Sequence, residues 1–267
     1  MKKKTGLICA AALLMGMSLA SCSKDDNKSG GEASLPTPTG DTKYLNKYEI
    51  SNDTLLQVKY AFSGNGLLLA DSTYGSDNSG SRYFYETREF IYGTKGLSQV
   101  VAKRYKADGT IDNTYDDYNY TTTYTYSGNT IKEQYSYRSD RYNVHYMENG
   151  KIVRSEEVGD DDISKYYYTN NDCTKIEYLK VDEPEKVQTT QVNVFDDKKN
   201  PFYNNWFAFY YEALGENNLK KSTRTYSDEG SDVDVDVEFL EYNSQGYPTK
   251  YQSKNSTASF IYQYIGW

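Results

Sequence analysis

The chain has 267 residues, 38 acidic against 30 basic, a formal net charge of −8 and a mean hydropathy of −0.84. An acidic chain without a basic cluster does not suit nucleic acid, where affinity comes mainly from phosphate neutralisation, nor direct docking on anionic lipid. His145 is the only histidine. With no phosphate loop, nucleotide fingerprint or zinc spacing, this argues against a histidine-based metal centre, a Ser-His-Asp triad or a bound cofactor.

The N-terminus reads as an export signal. Lys2, Lys3 and Lys4 form a positive n-region, and Leu7 to Leu19 is an uncharged apolar run. That run is short for a transmembrane helix, which needs about 20 apolar residues, and it suits a signal-peptide h-region. Leu19-Ala20-Ser21-Cys22 follows and resembles the lipobox of bacterial lipoproteins. The resemblance implies cleavage before Cys22 and lipid on its thiol, with membrane attachment through several acyl chains. Residues 1–21 would then leave with three lysines and no acids, which moves the net charge from −8 to −11. Ser23-Lys24-Asp25-Asp26 resembles the acidic export tag of Bacteroidetes surface lipoproteins, which implies an outer-membrane anchor facing the cell surface. A periplasm-facing position is the alternative. The stretch 22–43 is rich in Gly, Ser, Pro, Thr and charge, cannot bury a core, and reads as a flexible tether.

From residue 44 to residue 267 the sequence reads as a single β domain, for no Pro/Gly-rich linker divides it. Tyrosine is the outlier, with 30 Tyr against 9 Phe and 2 Trp. It favours strands and suits a packed ring with a solvated hydroxyl. An aromatic residue followed four positions later by glycine recurs at Phe62/Gly66, Tyr92/Gly96, Tyr105/Gly109, Tyr146/Gly150, Tyr226/Gly230 and Tyr242/Gly246. Tyr126-Ser127-Gly128-Asn129 and Tyr168-Thr169-Asn170-Asn171-Asp172 are variants. Gly, Asn and Asp tolerate the positive φ of tight hairpin turns.

The flanks alternate with period two, the mark of a strand with unlike faces. Tyr118, Tyr120, Tyr124 and Tyr126 share one parity, and Val233, Val235 and Val237 interleave with Asp232, Asp234, Asp236 and Glu238. The pattern predicts an all-β, tyrosine-rich, antiparallel up-and-down meander of roughly 12 to 16 strands. It is strongly curled or closed into a soluble barrel-like sheet, since charges at so many positions do not suit a lipid-facing face. The best helical candidate is Trp206 to Leu214, between Pro201 and Gly215, expected as an insertion that plugs or caps the sheet.

Candidate site residues are few. Cys173 is the one cysteine left in the mature domain, so no intrachain disulfide forms there, and a free cysteine is usually a small buried hydrophobe. A pairing with His145 is the functional alternative. Asp160-Asp161-Asp162 and the Asp232–Glu238 row are possible Ca²⁺ ligands, but both are expected as solvated faces. Lys220 and Lys221 are placed to oppose the second. Trp206, Phe207, Phe209, Tyr210 and Tyr211 form the densest aromatic cluster. Trp206, Phe207, Tyr210 and Tyr211 are the candidate ligand-binding residues, although an apolar run in a polar chain is more often core.

The segment Val194-Phe195-Asp196-Asp197-Lys198-Lys199-Asn200-Pro201-Phe202-Tyr203 resembles a Bacteroidetes lipoprotein family of unknown function, described as having a porin-like β fold. Glu216-Asn217-Asn218-Leu219-Lys220-Lys221 and Glu241-Tyr242-Asn243-Ser244-Gln245-Gly246-Tyr247-Pro248-Thr249-Lys250 fit its downstream pattern. The resemblance spans most of 44–267 and implies an all-β meander outside the cytoplasm, with no assigned activity. The expected role is therefore a non-enzymatic envelope lipoprotein that binds a glycan or a protein partner of the envelope. A polysaccharide hydrolase working through paired carboxylates and a passive structural surface protein are the alternatives.

Overall fold

A computed structural model describes residues 37–51, 54–76, 82–207, 213–227, 232–253 and 259–267. Its strands are β1 (Lys43–Ser51), β2 (Thr54–Phe62), β3 (Leu68–Ser76), β4 (Arg82–Gly93), β5 (Gly96–Arg104), β6 (Tyr120–Ser127), β7 (Thr130–Tyr135) and β8 (Tyr142–Glu148). They continue with β9 (Lys151–Val158), β10 (Asp162–Thr169), β11 (Asp172–Lys180), β12 (Val187–Lys199), β13 (Asn217–Tyr226), β14 (Asp232–Tyr242), β15 (Pro248–Ser253) and β16 (Ser259–Ile265). Each pairs antiparallel with its neighbours in sequence, and β1 pairs with β16 from Tyr44↔Ile265 to Ile50↔Ser259. The meander is thus a closed barrel without a free edge. No described residue is helical.

The aromatic-glycine repeat has a mechanical basis. A register shift falls just before the turn in five hairpins, at Ala61/Phe62, Ile91/Tyr92, Tyr146/Met147, Tyr167/Tyr168 and Glu241/Tyr242. Such bulges bend the strand and re-aim a side chain. Four tyrosine hydroxyls near this rim donate to the carbonyl oxygen at or near the start of the preceding strand. They are Tyr92 to Leu68 (2.8 Å), Tyr126 to Leu97 (2.8 Å), Tyr168 to Ile152 (2.8 Å) and Tyr264 to Pro248 (2.7 Å). The turn that follows needs left-handed backbone, as at Asn149 and Gly150 with φ of 51° and 75°. Two positive φ values in succession match the right-handed twist of a hairpin. Tyr105 and Gly109 differ from the repeat. They sit in the β5–β6 connection, where one bridge, Tyr105↔Ile111, closes a minimal turn.

Alternation separates the two faces. Lys132, Arg154, Glu156, Lys175, Glu177, Lys221 and Asp234 point outward, several as ion pairs such as Lys221–Asp234 at 2.8 Å and Lys175–Glu177 at 2.8 Å. This is a water face, unlike the apolar outer band of a membrane-spanning barrel. Lys221 opposes the Asp234–Asp236 row as expected, while Val233 and Val235 face the lumen and stay about half exposed there.

The lumen is filled from the rim where β1 begins and β16 ends. Between β12 and β13, residues 200–207 and 213–216 enter it as a plug. Phe202 packs on Tyr60 of β2 (5.6 Å between ring centroids) and Tyr262 of β16 (6.1 Å), Trp206 on Tyr166 of β10 (5.1 Å), and Phe207 on Tyr124 of β6 (4.6 Å). Strands β2, β6, β10 and β16, spread around the barrel, meet one segment, so the segment lies inside the ring of strands. Leu45, Phe62, Leu68, Ile131, Cys173, Ile176 and Leu214 complete the buried apolar core. Of the expected helix, Trp206, Phe207, Ala213 and Leu214 form turns and bends, and 208–212 lie outside the described residues.

Short polar side chains in and beside the segment 194–203 hold this plug. Asp196 accepts from the Asn218 backbone N–H (3.0 Å) and the Tyr242 hydroxyl (2.7 Å). Asn200 accepts from the Phe202 N–H (2.9 Å), and Asn205 donates to the Gly66 carbonyl (2.8 Å). Asp172 accepts from the Asn217 side chain (2.9 Å). A buried irregular segment needs partners for its backbone polar groups; Asn200 supplies one to Phe202, while Asp196, Asp172 and Asn205 bond to the strands and the turn that flank the plug.

Candidate functional site

Beyond the plug, toward the rim opposite the start of β1 and the end of β16, the lumen holds a chamber of about 330 Å³. Four successive strands line it with their inward residues: Glu133 and Tyr135 on β7, Asn143 and His145 on β8, Ser155 and Glu157 on β9, and Asp162, Ser164 and Tyr166 on β10. Trp206 and Phe207 form its floor. Both are half-buried, because one side packs on the core and the other opens to the chamber. The structure therefore places two of the four sequence-derived aromatic candidates at one cavity. Tyr210 and Tyr211 lie outside the described residues, as does Cys22.

One hydrogen-bond chain organises the wall. Glu133 is buried and accepts from the Tyr124 hydroxyl (2.9 Å) and the Asn143 amide (2.8 Å). His145 Nε2 lies 3.3 Å from Glu133 Oε2, and His145 Nδ1 lies 2.8 Å from Ser155 Oγ. Burial works to raise the Glu133 carboxyl, but its bonds from His145, Asn143 and Tyr124 outweigh burial and hold it below the ordinary glutamate value. An ionised carboxylate only accepts, so in the neutral form of the imidazole the bond to Glu133 places the proton on Nε2 and leaves the Nδ1 lone pair toward Ser155. His145 is 5% exposed, whereas Ser155 opens onto the chamber. The phenyl ring of Phe207 stands edge-on to the imidazole at 5.3 Å.

Glu157 faces the same space. Burial, and then the nearby Asp160, push its carboxyl above the ordinary value. It is the direct cross-strand partner of Asp162, which pairs with Lys180 at the rim. On β3 and β4, Arg88 grips buried Asp71 through two nitrogens, at 3.0 Å and 2.6 Å from one carboxylate oxygen. A two-pronged arginine pair of this kind fixes geometry and braces those two strands. A second cavity, about 220 Å³, lies on the β13–β16 side of the plug and is mostly apolar, bounded by Phe202, Leu219, Val235, Phe239, Tyr251 and Tyr262.

The other sequence candidates fall elsewhere. Cys173 is fully buried on β11, and burial pushes its thiol up to about 12, so it offers no thiolate to His145. In the Asp160–Asp162 turn the carboxylates take different partners, Asp160 with Arg141 and Asp162 with Lys180. Among the described residues no cluster of three acidic, His or Cys side chains is arranged to hold a metal ion. As the only histidine, His145 reads from sequence as an improbable triad member. The structure brings Ser155 and Glu133 to it from the two neighbouring strands.

No protein-family model matches the chain, and no curated protein matches it. Among solved structures it is similar to a porin-like protein from Bacteroides uniformis, 11% identical with a TM-score of 0.41, the match covering 86% of this chain and 100% of that one. It is also similar to a porin-like protein from Bacteroides vulgatus, 10% identical with a TM-score of 0.38, covering 83% of this chain and 98% of that one. The C-terminal motifs resemble a family described in the same words. The barrel itself is established by its own strand order and register.

Proposed function

We propose that this chain is an outer-membrane lipoprotein, tethered through lipid on Cys22 and exposed at the cell surface, whose barrel binds a small glycan in the chamber of β7–β10. The observation that carries the binding reading is the build of that chamber. The Trp206 and Phe207 rings floor it, while hydroxyls, an amide and carboxylates ring its wall. Sugars present apolar ring faces and polar edges, which such a site matches. Its volume lies at the lower end of small-molecule sites, about 300–1,000 Å³, which favours a short glycan over a protein partner. The export signal and lipobox support the placement, and the polar outer face suits a barrel held at a membrane by its lipid and not by its strands.

The test uses the full chain purified in detergent, probed on a glycan array and titrated with any glycan bound there. Ser164→Phe should fill the chamber and abolish binding with the melting transition retained. Binding that survives the filling moves the site elsewhere, and an array without a bound glycan removes the ligand class. In cells, a fatty-acid analogue should label the wild type and not Cys22→Ala. Equal labelling of both would overturn the tether.

A further inference from the structure

We propose that Ser155 is a nucleophile activated by His145, and that the chamber cleaves a short acyl ester carried on its glycan. The alcohol part of that substrate rests on the glycan reading above; the ester-cleaving chemistry does not.

The geometry carries the proposal. A serine is weak as a nucleophile until an adjacent base takes its proton, and the base works when a third group orients it. Here Ser155 Oγ is 2.8 Å from His145 Nδ1, and His145 Nε2 is 3.3 Å from Glu133. Such a constellation is recognised by geometry and role and not by order in the chain. Either imidazole nitrogen can act as the base, and the bond to Glu133 leaves Nδ1 for that task. Tyr124 and Asn143 in turn hold Glu133, so it has little freedom to turn away. All three line the cavity, but the base and its orienter are buried in its wall, and the hydroxyl they serve is the most open of the three to it. A histidine kept for packing alone needs hydrogen-bond partners, but not one that opens onto a cavity.

Register supplies the remaining part. Ser155 has His145 directly across on one side and Ser164 directly across on the other. Side chains so paired have Cβ atoms about 4.5–5.5 Å apart, which lets the Ser164 hydroxyl donate to an oxyanion formed beside Ser155, as side-chain donors do in acyl transfer.

The steps balance. Ser155 Oγ bonds to the ester carbonyl carbon as its proton passes to His145 Nδ1, and the carbonyl π pair becomes the oxyanion. The oxyanion collapses, the bond to the sugar oxygen breaks, and that oxygen leaves with the proton from Nδ1. Water then attacks the acyl-serine and gives a proton to Nδ1. Collapse releases the carboxylic acid, and Ser155 recovers its proton. One water is consumed, and the products are an acid and a sugar hydroxyl. The limited volume, already shared with the sugar, selects a short acyl group such as acetyl.

The full chain in detergent is tested with a fluorophosphonate probe and with p-nitrophenyl acetate. The probe should label Ser155, located by peptide mapping, and Ser155→Ala should abolish both labelling and turnover. His145→Gln should slow both by about 10²-fold or more. Glu133 acts through His145 as a positioning residue, so Glu133→Gln should lower kcat with KM unchanged, and Glu133→Asp should restore part of it. Melting curves establish that each variant is folded. A folded wild type that neither takes the probe nor turns over the ester overturns the proposal, as does labelling that survives Ser155→Ala. Glycan binding without labelling would refute the catalytic step alone. Labelling without glycan binding would support the nucleophile and refute the glycan reading.

Discussion

The Asn200 side-chain amide donates to the carbonyl oxygen of Gly215 at 2.8 Å, joining two residues 15 positions apart at the neck of the plug. This bond, together with the Asn200 backbone N–H donating to the Glu216 carbonyl at 2.9 Å, ties the entry of the inserted segment to its exit. Gly215 sits where the exit squeezes past β11 and β12. A Cβ there would collide with the Asp172 carboxylate and approach Phe195 Cε1 to 2.6 Å. Asp172 is already committed to Asn217, and Phe195 packs against the core, so neither is free to retreat.

Gly215→Ala should therefore destabilise the barrel by about 1–3 kcal/mol, the usual cost of overpacking a filled interior. Chemical denaturation of the two chains measures it. Equal midpoints would mean that the plug can shift at its exit and that the neck is not fixed.

Much of the fold was legible because one residue type carries one physical task. Period two gave strands, and Gly, Asn and Asp gave the hairpin turns. Charge on one parity gave a water-facing exterior, as the diagonal Lys221–Asp234 ion pair bears out. The site was not legible, and the reason is local. A tight turn at Asn149-Gly150 sets Glu148↔Lys151 and Met147↔Ile152, and an unbroken ladder would then place Arg154 opposite His145. The bulge at Tyr146/Met147 advances the register by one residue and puts Ser155 there. One extra residue, with no strong sequence mark, thus decides whether a cation or a hydroxyl meets the imidazole. The plug was half legible: Pro201 and Gly215 bracketed it, but nothing in its composition indicated that Asn200 would satisfy its backbone or that Asn205 would tie it to the β2–β3 turn.

Glu133 makes a pH-dependent contribution whose sign follows from its surroundings. Its carboxyl is held below the ordinary glutamate value of 4.5, burial being outweighed by the bonds from His145, Asn143 and Tyr124. A depressed folded-state value means that the ionised form is stabilised by folding. That stability is fully present above the unfolded value and is lost as pH falls through 4.5 toward the lower folded value. The difference in melting temperature between wild type and Glu133→Gln should therefore hold steady at neutral pH and shrink below pH 4.5. A difference that stays constant into acid would show that Glu133 is not held as a carboxylate.

Cys173 gives the sharpest test of whether the plug is seated. Its thiol has no exposed surface and lies in the same core cluster as Leu214. Its backbone N–H donates to the Leu214 carbonyl at 2.8 Å, and the Asn193 amide donates to its own carbonyl at 2.9 Å. Burial, only partly offset by backbone hydrogen bonds, pushes the thiol up to about 12. Only the thiolate reacts readily with disulfide reagents. At pH 8 the native chain should therefore leave Cys173 unmodified for as long as it stays folded, and denaturant should release it to full labelling. Since Leu214 belongs to the plug and Cys173 to the wall, labelling under native conditions would require their contact to open. Fast native labelling of Cys173, located by peptide mapping, would thus show that the inserted segment leaves the lumen in solution. The floor formed by Trp206 and Phe207 would then leave with it, and the chamber would not persist as a formed site.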